Sequence, residues 1–268
     1  MPEHERRAIY GFKIAQEGTT WLAYHNMTRA GFDPGKHLLQ IYDEPVRGGY
    51  FGWHRLRGGG VLIDWELKTT LEGLYAAGDQ MFDGNFVSHA LATGRYAARQ
   101  AAAYAVTASQ PQIDRGQVDA EKDRVYAPVM RTAGVEWKEV DAGLSNVMQH
   151  YCGDTKSDER LKLGLLWMDE LRRAEAKALY ARNPHELVRC LEIYCLIDWC
   201  EAVLHQSLAR KSSNSWMHFI RTDYPENEPP QWRKWITIKQ MGGDVKIREL
   251  PMDFWGDLAQ NYAKHCRL

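Results

Sequence analysis

Gly73-Leu-Tyr-Ala-Ala-Gly-Asp79, followed after a polar turn by Ser88-His-Ala-Leu-Ala-Thr-Gly-Arg95 and an alanine-rich run to Ala105, is the stretch whose reading decides the fold. Leu74–Ala77 is apolar and bracketed by glycines, which predicts a short buried strand, whereas small residues at helical spacing from Ser88 onward, with no proline, predict a helix. The pattern is strand, turn, helix. Asp79 then stands at the carboxyl end of the strand, where open α/β sheets bind ligands, and Ser88 is placed to cap a helix whose amino end faces the same crevice. That end favours negative charge. On residue chemistry alone the same stretch also suits plain close packing of a small-residue helix, with Asp79 as a turn acid.

Working outward, the 268 residues, 44% of them hydrophobic, are enough to bury a core and to form one or two domains. The formal net charge is −1 and the basic residues are dispersed, which argues against nucleic acid and against an anionic membrane surface as partners. No apolar run approaches the roughly 18 residues of a membrane span, and Pro2-Glu-His-Glu-Arg-Arg7 is no signal-peptide core, so the expected location is cytoplasmic. Five cysteines are odd in number and sparse, as suits a reducing compartment. Cys190, Cys195 and Cys200 recur every five residues in an apolar helical run, about 140° apart at roughly 3.6 residues per turn. They cannot share one metal, and they read as buried structural thiols, so no metal site is expected.

On either side of the deciding stretch the text changes character. Gly31-Phe-Asp-Pro-Gly-Lys36 is turn chemistry after an amphipathic start, and Leu38 to Asp64 reads as short, glycine-punctuated strands. Gly58, Gly59 and Gly60 leave a backbone without a Cβ wall, which fits either a tight β turn or the close passage of a flat ring. Thr107 to Gln117 is a polar linker, and beyond it Asp119–Arg131, Gly143–Tyr151, Ser157–Ala181 and Pro184–Lys211 are strongly helical, with Leu187, Leu191, Tyr194, Ile197 and Leu204 as an apolar stripe. Trp235 to Pro251 alternates apolar and polar residues about Gly242-Gly-Asp244, a hairpin whose aromatic neighbours, Trp216, Trp232, Phe254 and Trp255 among them, are expected to lock it onto the bundle.

Two anchors carry a family resemblance. Gly73 to Arg95 resembles the last strand and helix of the FAD domain in the fumarate reductase and succinate dehydrogenase flavoproteins, its turn Gly84-Asn-Phe-Val-Ser-His-Ala-Leu-Ala-Thr-Gly-Arg95 looking most like the adenylylsulfate reductase branch. Leu208 to Trp232 is similar to the family's Arg-x-Glu-Ser-Arg run, Asp-Tyr-Pro and Trp, with Arg210, Asp223, Tyr224, Pro225 and Trp232 in those places. Ser212, Ser213 and Asn214 replace the acid and second arginine of that run. A third element, Trp53-His-Arg-Leu-Arg-Gly-Gly-Gly60, is similar to the family's His-x-x-x-Gly-Gly beside the isoalloxazine.

The resemblance implies an α+β chain: residues 1–37 end a capping-type helical segment, 38–110 close an FAD-binding α/β domain, 116–222 form a helical bundle, and 223–268 a hairpin and tail. It further implies FAD as cofactor, met at its flavin end by Gly58, Gly59, Gly78, Asp79, Ser88 and His89, although a packing role for His89 stays open. His54 is the implied catalytic residue, with Arg55, Arg57 and Arg210 for an anionic substrate; a purely structural histidine at position 54 also stays open. The loop Gln80 to Val87 lacks the arginine with which the succinate and fumarate branch grips a carboxylate, which points away from dicarboxylates. No Gly-x-Gly-x-x-Gly follows a strand, so the resemblance implies a partner polypeptide supplying the dinucleotide-binding half, together with an iron–sulfur electron-transfer subunit. The alternative function is a structural or assembly subunit that binds no FAD by itself.

Overall fold

The computed structural model describes residues 60–81 and 86–265, together with scattered positions before residue 37. The strand readings between Leu38 and Trp53 therefore lie outside the described residues.

Where a strand was expected at Val61–Asp64 the chain instead turns back on itself. Asp64 Oδ1 accepts from the amides of Glu66 and Lys68 at 2.8 and 3.0 Å, an Asx-type turn that uses up the backbone donors a ladder would need. Leu67 sits in the left-handed region (φ 61°). The anticipated strand at Leu74–Ala77 is likewise reduced to a single antiparallel bridge, Lys68 to Tyr75, with Leu74 half exposed. A one-turn 3-10 helix, Gly78–Gln80, leads towards the long helix α1, Phe86–Thr107. Around them Ile63, Leu67, Ala76, Met81 and Ala97 make a small core.

The bundle comprises α2 (Arg115–Met130), α3 (Trp137–Tyr151), α4 (Asp158–Glu170) and α5 (Pro184–Ala209). Three side-chain caps set its boundaries: Asp114 accepts from Gln117 N, Ser157 from Arg160 N and Asn183 from Glu186 N, each satisfying an amide that has no intrahelical partner. The expected continuous helix Ser157–Ala181 is interrupted, since Leu171–Glu175 widens into a π turn and Ala176–Ala178 closes as a 3-10 turn. The core is formed by Val140, Leu144 and Met148 of α3, Leu161 and Met168 of α4, and the buried stripe Cys190, Ile193, Ile197, Cys200 and Leu204 of α5. That stripe lies slightly to one side of the sequence reading, leaving Leu187 and Tyr194 at its margin. Cys195 is exposed, a correction to the expectation of three buried thiols; the 140° rotation per five residues carries it off the inner face.

Two short strands, β1 (Thr155–Lys156) and β2 (Ile220–Arg221), pair in parallel. The hairpin is β3 (Lys234–Met241) and β4 (Asp244–Pro251), paired from Lys234–Pro251 to Met241–Asp244 across Gly242 and Gly243. Both glycines have positive φ, 60° and 90°, as a two-residue loop matched to strand twist requires. Ile236 and Leu250 face inward, and Gln206 of α5 donates to the Ile236 carbonyl. The aromatic residues divide differently from the expectation: Trp216 is 88% exposed, and Trp255 is bound to Ile63 and Trp65 rather than to the bundle. A final helix, α6 (Leu258–His265), follows.

Candidate functional site

The Gly78–Gln80 turn is built by glycine and threonine chemistry. Gly78 adopts φ 67°, a conformation L-residues rarely take, and its amide donates to Thr93 Oγ1 at 2.9 Å while that hydroxyl donates to the His89 carbonyl at 2.7 Å. A Cβ at Gly78 would meet Ala90 Cβ at 3.5 Å, an ordinary contact, so the backbone conformation rather than space selects glycine here. Thr93 thus staples the turn to the first turns of α1, and Asp79 is left exposed beside it.

Helix α1 starts at Phe86, which places Ser88 inside its first turn rather than at its cap. Val87, Ser88, Ala90 and Leu91 are exposed, and Ala97 is the one buried side chain among those described in this 22-residue helix. His89 turns inward. Its Nδ1 is buried and has no hydrogen-bond partner, which is costly unless a further group meets it. The structure therefore brings Gly78, Asp79, Ser88 and His89 to one end of α1. His54, Arg55, Arg57, Gly58 and Gly59 lie outside the described residues.

The group that the resemblance implies here is a flavin. An exposed helix amino end, an acceptor carboxylate at Asp79 and an inward ring nitrogen on His89 suit a polar, flat ring edge carrying N–H donors and carbonyl acceptors. The residues present fit the group.

Arg210 is placed elsewhere. It ends α5 and gives its guanidinium to the carbonyls of Trp232 and Lys234 at 3.3 and 3.5 Å, with Glu228 at 3.9 Å, so it ties the bundle to the hairpin. Burial lowers its pKa, opposed in part by Glu228.

The sequence reading passed over Arg221, the largest fully buried side chain among the described residues. Its guanidinium donates to Asp158 and Asp223 and to the carbonyls of Ser207 and Arg210, and it lies 4.9 Å from the Tyr224 ring centroid. Ser213 completes the site: its Oγ donates to the Tyr224 carbonyl at 2.9 Å and accepts from Arg221 N at 2.9 Å. The Asp-Tyr-Pro motif two residues after Arg221, with Asp158 opening α4, was the available signal. This cluster joins α4, α5 and β2, an architectural role. Among the described residues no group of three histidine, cysteine or acidic side chains is placed to hold a metal ion, and no helix is long and apolar enough to cross a membrane.

Comparison with known proteins gives a consistent picture. Residues 141–257 match the family model described as fumarate reductase flavoprotein C-term. The fumarate reductase flavoprotein subunit of Haemophilus influenzae is 22% identical over 193 residues, covering 66% of this chain and 32% of the relative. L-Aspartate oxidase 1 of Ralstonia nicotianae is 28% identical over 187 residues, covering 64% and 32%. The chain thus spans about a third of the length of the curated relatives it matches. Among solved structures, adenylylsulfate reductase from Archaeoglobus fulgidus superposes with a TM-score of 0.64 at 25% identity, over 69% of this chain and 32% of that one. Quinol fumarate reductase of E. coli gives 0.63 at 18% identity, over 88% and 42%, a likeness of fold.

Proposed function

We propose, from the match of residues 141–257 to the fumarate reductase flavoprotein C-term model, that the chain serves as the later part of an FAD-dependent oxidoreductase subunit. The observation that carries the reading is the Thr93-stapled turn at Gly78, set against the amino end of α1 beside the unpartnered Nδ1 of His89. Bound flavin supplies two-electron chemistry at its ring. The chain's part is to hold that ring: the helix amino end stabilises negative charge on the reduced form, and Asp79 accepts from a sugar-chain hydroxyl. His54, with Arg55 and Arg57, serves an anionic substrate.

Adenine and pyrophosphate contacts come, on this reading, from a polypeptide carrying the dinucleotide fingerprint, and electrons pass to or from an iron–sulfur subunit. The substrate is a small anion other than a C4 dicarboxylate. A dicarboxylate needs a cation at each end, because a desolvated, unpaired carboxylate costs several kcal/mol, and Gln80 to Val87 contains neither lysine nor arginine. A sulfonucleotide or an unsaturated acid fits better.

The test is reconstitution with a partner bearing the fingerprint, followed by reduced-dye assays with fumarate and with a sulfonucleotide. Flavin retained in the mixture supports the reading. Fumarate turnover at the ordinary enzyme scale of about 10 per second, abolished by His54→Ala, would overturn the substrate assignment. A second reading is a structural or assembly subunit that binds no FAD by itself, for which material stays colourless in every combination.

A further inference from the structure

The segment from Trp255 to His265 returns to Ile63 and Trp65 and grips them by directional contacts. Trp255 Nε1 donates to the Ile63 carbonyl at 2.8 Å, and Trp65 Nε1 donates to the Trp255 carbonyl at 2.8 Å, a reciprocal exchange between residues 190 positions apart. Asn261 Nδ2 donates to the same Trp255 carbonyl at 2.7 Å, and the His265 ring stacks on Trp65 with centroids 6.0 Å apart and planes 14° from parallel. Helix α6 has no buried side chain, so apolar burial does not explain why it stays in place. The clasp does.

What the clasp holds is the backing of the Gly78 turn. Two residues before Ile63, the Val61 amide donates to the Gln80 carbonyl at 2.7 Å, so the gripped segment is itself bonded to the turn. A cavity of about 330 Å³ is lined by Trp65 with Thr93, Tyr96 and Tyr262, and another of about 360 Å³ by Trp65 with Met81, Trp255 and Leu258. Thr93 is the acceptor for the Gly78 amide, and Met81 follows the turn and bonds back to the Gly78 carbonyl at 3.0 Å. The carboxy-terminal segment therefore stands behind both supports of the turn.

We infer that Trp255 to His265 is a strap that positions the Gly78–Gln80 turn, and that Trp65 and Trp255 are positioning residues for whatever that turn binds. The strap's bearing on a cofactor rests on the flavin reading above; its bearing on the turn does not. Because the strap is directional and thinly packed, weakening it opens the turn locally without unfolding the bundle.

The experiment uses the full chain with Trp255→Phe and Trp65→Phe, which keep an aromatic ring but remove the indole N–H donor together with the fused five-membered ring, and His265→Ala, which removes the stack on Trp65 and leaves both indole donors in place. Amide hydrogen exchange is read at Val61, Gly78 and Met81, with α5 amides as the internal reference. Losing one hydrogen bond of ordinary strength predicts about fivefold faster exchange at those three amides, more in the double tryptophan variant, with α5 unchanged. Should a tryptophan variant lose α5 protection as well, His265→Ala decides the matter through a smaller acceleration at the same amides. Unchanged rates at Val61, Gly78 and Met81 in a variant with protected α5 overturn the strap. Flavin release from the reconstituted assembly should quicken by a similar factor; wild-type assembly that holds no flavin defeats the flavin reading, and the exchange rates still judge the strap.

Discussion

Arg221 and Asp223 form a two-point ion pair, Nε to Oδ1 at 2.9 Å and Nη2 to Oδ2 at 2.8 Å, in which the arginine side chain is wholly buried. The pairing holds the Asp223 carboxyl down at about 2, the Arg221 hydrogen bond outweighing a smaller opposing effect of burial. On Arg221 burial alone would lower the pKa, and the bonds to Asp223 and Asp158 outweigh it. The same Asp223 oxygen also accepts from the Asp158 amide at 2.8 Å, so one carboxylate serves the start of α4 and the end of β2 together.

The sign of the pH dependence follows. Asp223 titrates lower in the folded chain than in the unfolded one, so its contribution is complete above the ordinary carboxylate value near 4 and is lost as pH falls towards 2. Its size is about 2 kcal/mol. Urea midpoints at pH 7 and pH 3 should show about half of that loss in the wild type, the rest following towards pH 2. Asp223→Asn should unfold about 2 to 3 kcal/mol more easily at pH 7, leaving buried Arg221 under-compensated, and should show a shallower acid dependence.

Gly164 marks a close helix approach in the bundle core. An added Cβ would stand 2.9 Å from Leu204 Cδ2 and 2.9 Å from Tyr151 Cβ. The leucine methyl can rotate away; a Cβ on the neighbouring helix cannot. Gly164→Ala gains about 1 kcal/mol in helix propensity but loses about 1 to 3 kcal/mol to overpacking. The expected net result is a lower urea midpoint, and a raised one would mean that α3 and α4 separate at little cost.

The hairpin and the bundle were legible because their signals are local. Gly242-Gly243 between alternating strands, Asn183-Pro184 before an apolar helix, and Ser157 before acidic residues each act within a few positions of themselves. The short strands near Gly73 were over-read because an apolar run between glycines does not say whether a second strand pairs with it; Asp64 decides the matter by capturing two amides of the would-be partner. Arg221 and the Trp65–Trp255 clasp were missed for the opposite reason. Their partners lie 63 and 190 positions away, and nothing in the spacing of one end names the other. At the candidate site, Gly78 and Asp79 are singled out by the sequence as candidates, whereas Thr93 as the acceptor that fixes Gly78 appears only once the turn is folded against α1.

The described cysteines should sort by burial. Desolvation pushes the Cys190 thiol up to about 11 and the Cys200 thiol up to about 12, whereas Cys195 is exposed. Iodoacetamide at pH 8 should therefore label Cys195 in the native chain and reach Cys190 and Cys200 only as urea unfolds the bundle. Peptide mapping with labelling of Cys200 at the rate of Cys195 under native conditions would show that α5 is not packed as described.

Asp79 and Gly78 separate a binding role from a backbone one. Asp79 is exposed and sits on a one-turn 3-10 helix, so Asp79→Ala should leave the urea transition of the bundle within about 0.5 kcal/mol of wild type. If its carboxylate accepts a hydroxyl of bound flavin, a charge-assisted bond of roughly 1.5 to 3 kcal/mol is lost, and flavin occupancy near the dissociation constant falls by about one to two orders of magnitude. Gly78→Ala acts by another route: φ 67° penalises any L-residue by about 1 to 2 kcal/mol, while the 3.5 Å approach to Ala90 Cβ adds little. It should loosen the Thr93 staple and lower flavin retention together with the protection of the Gly78 amide. Flavin content of the reconstituted assembly, measured beside amide exchange, reads both variants. A loss of flavin in Gly78→Ala with full retention in Asp79→Ala would assign the turn's shape to the cofactor and reduce Asp79 to a turn residue.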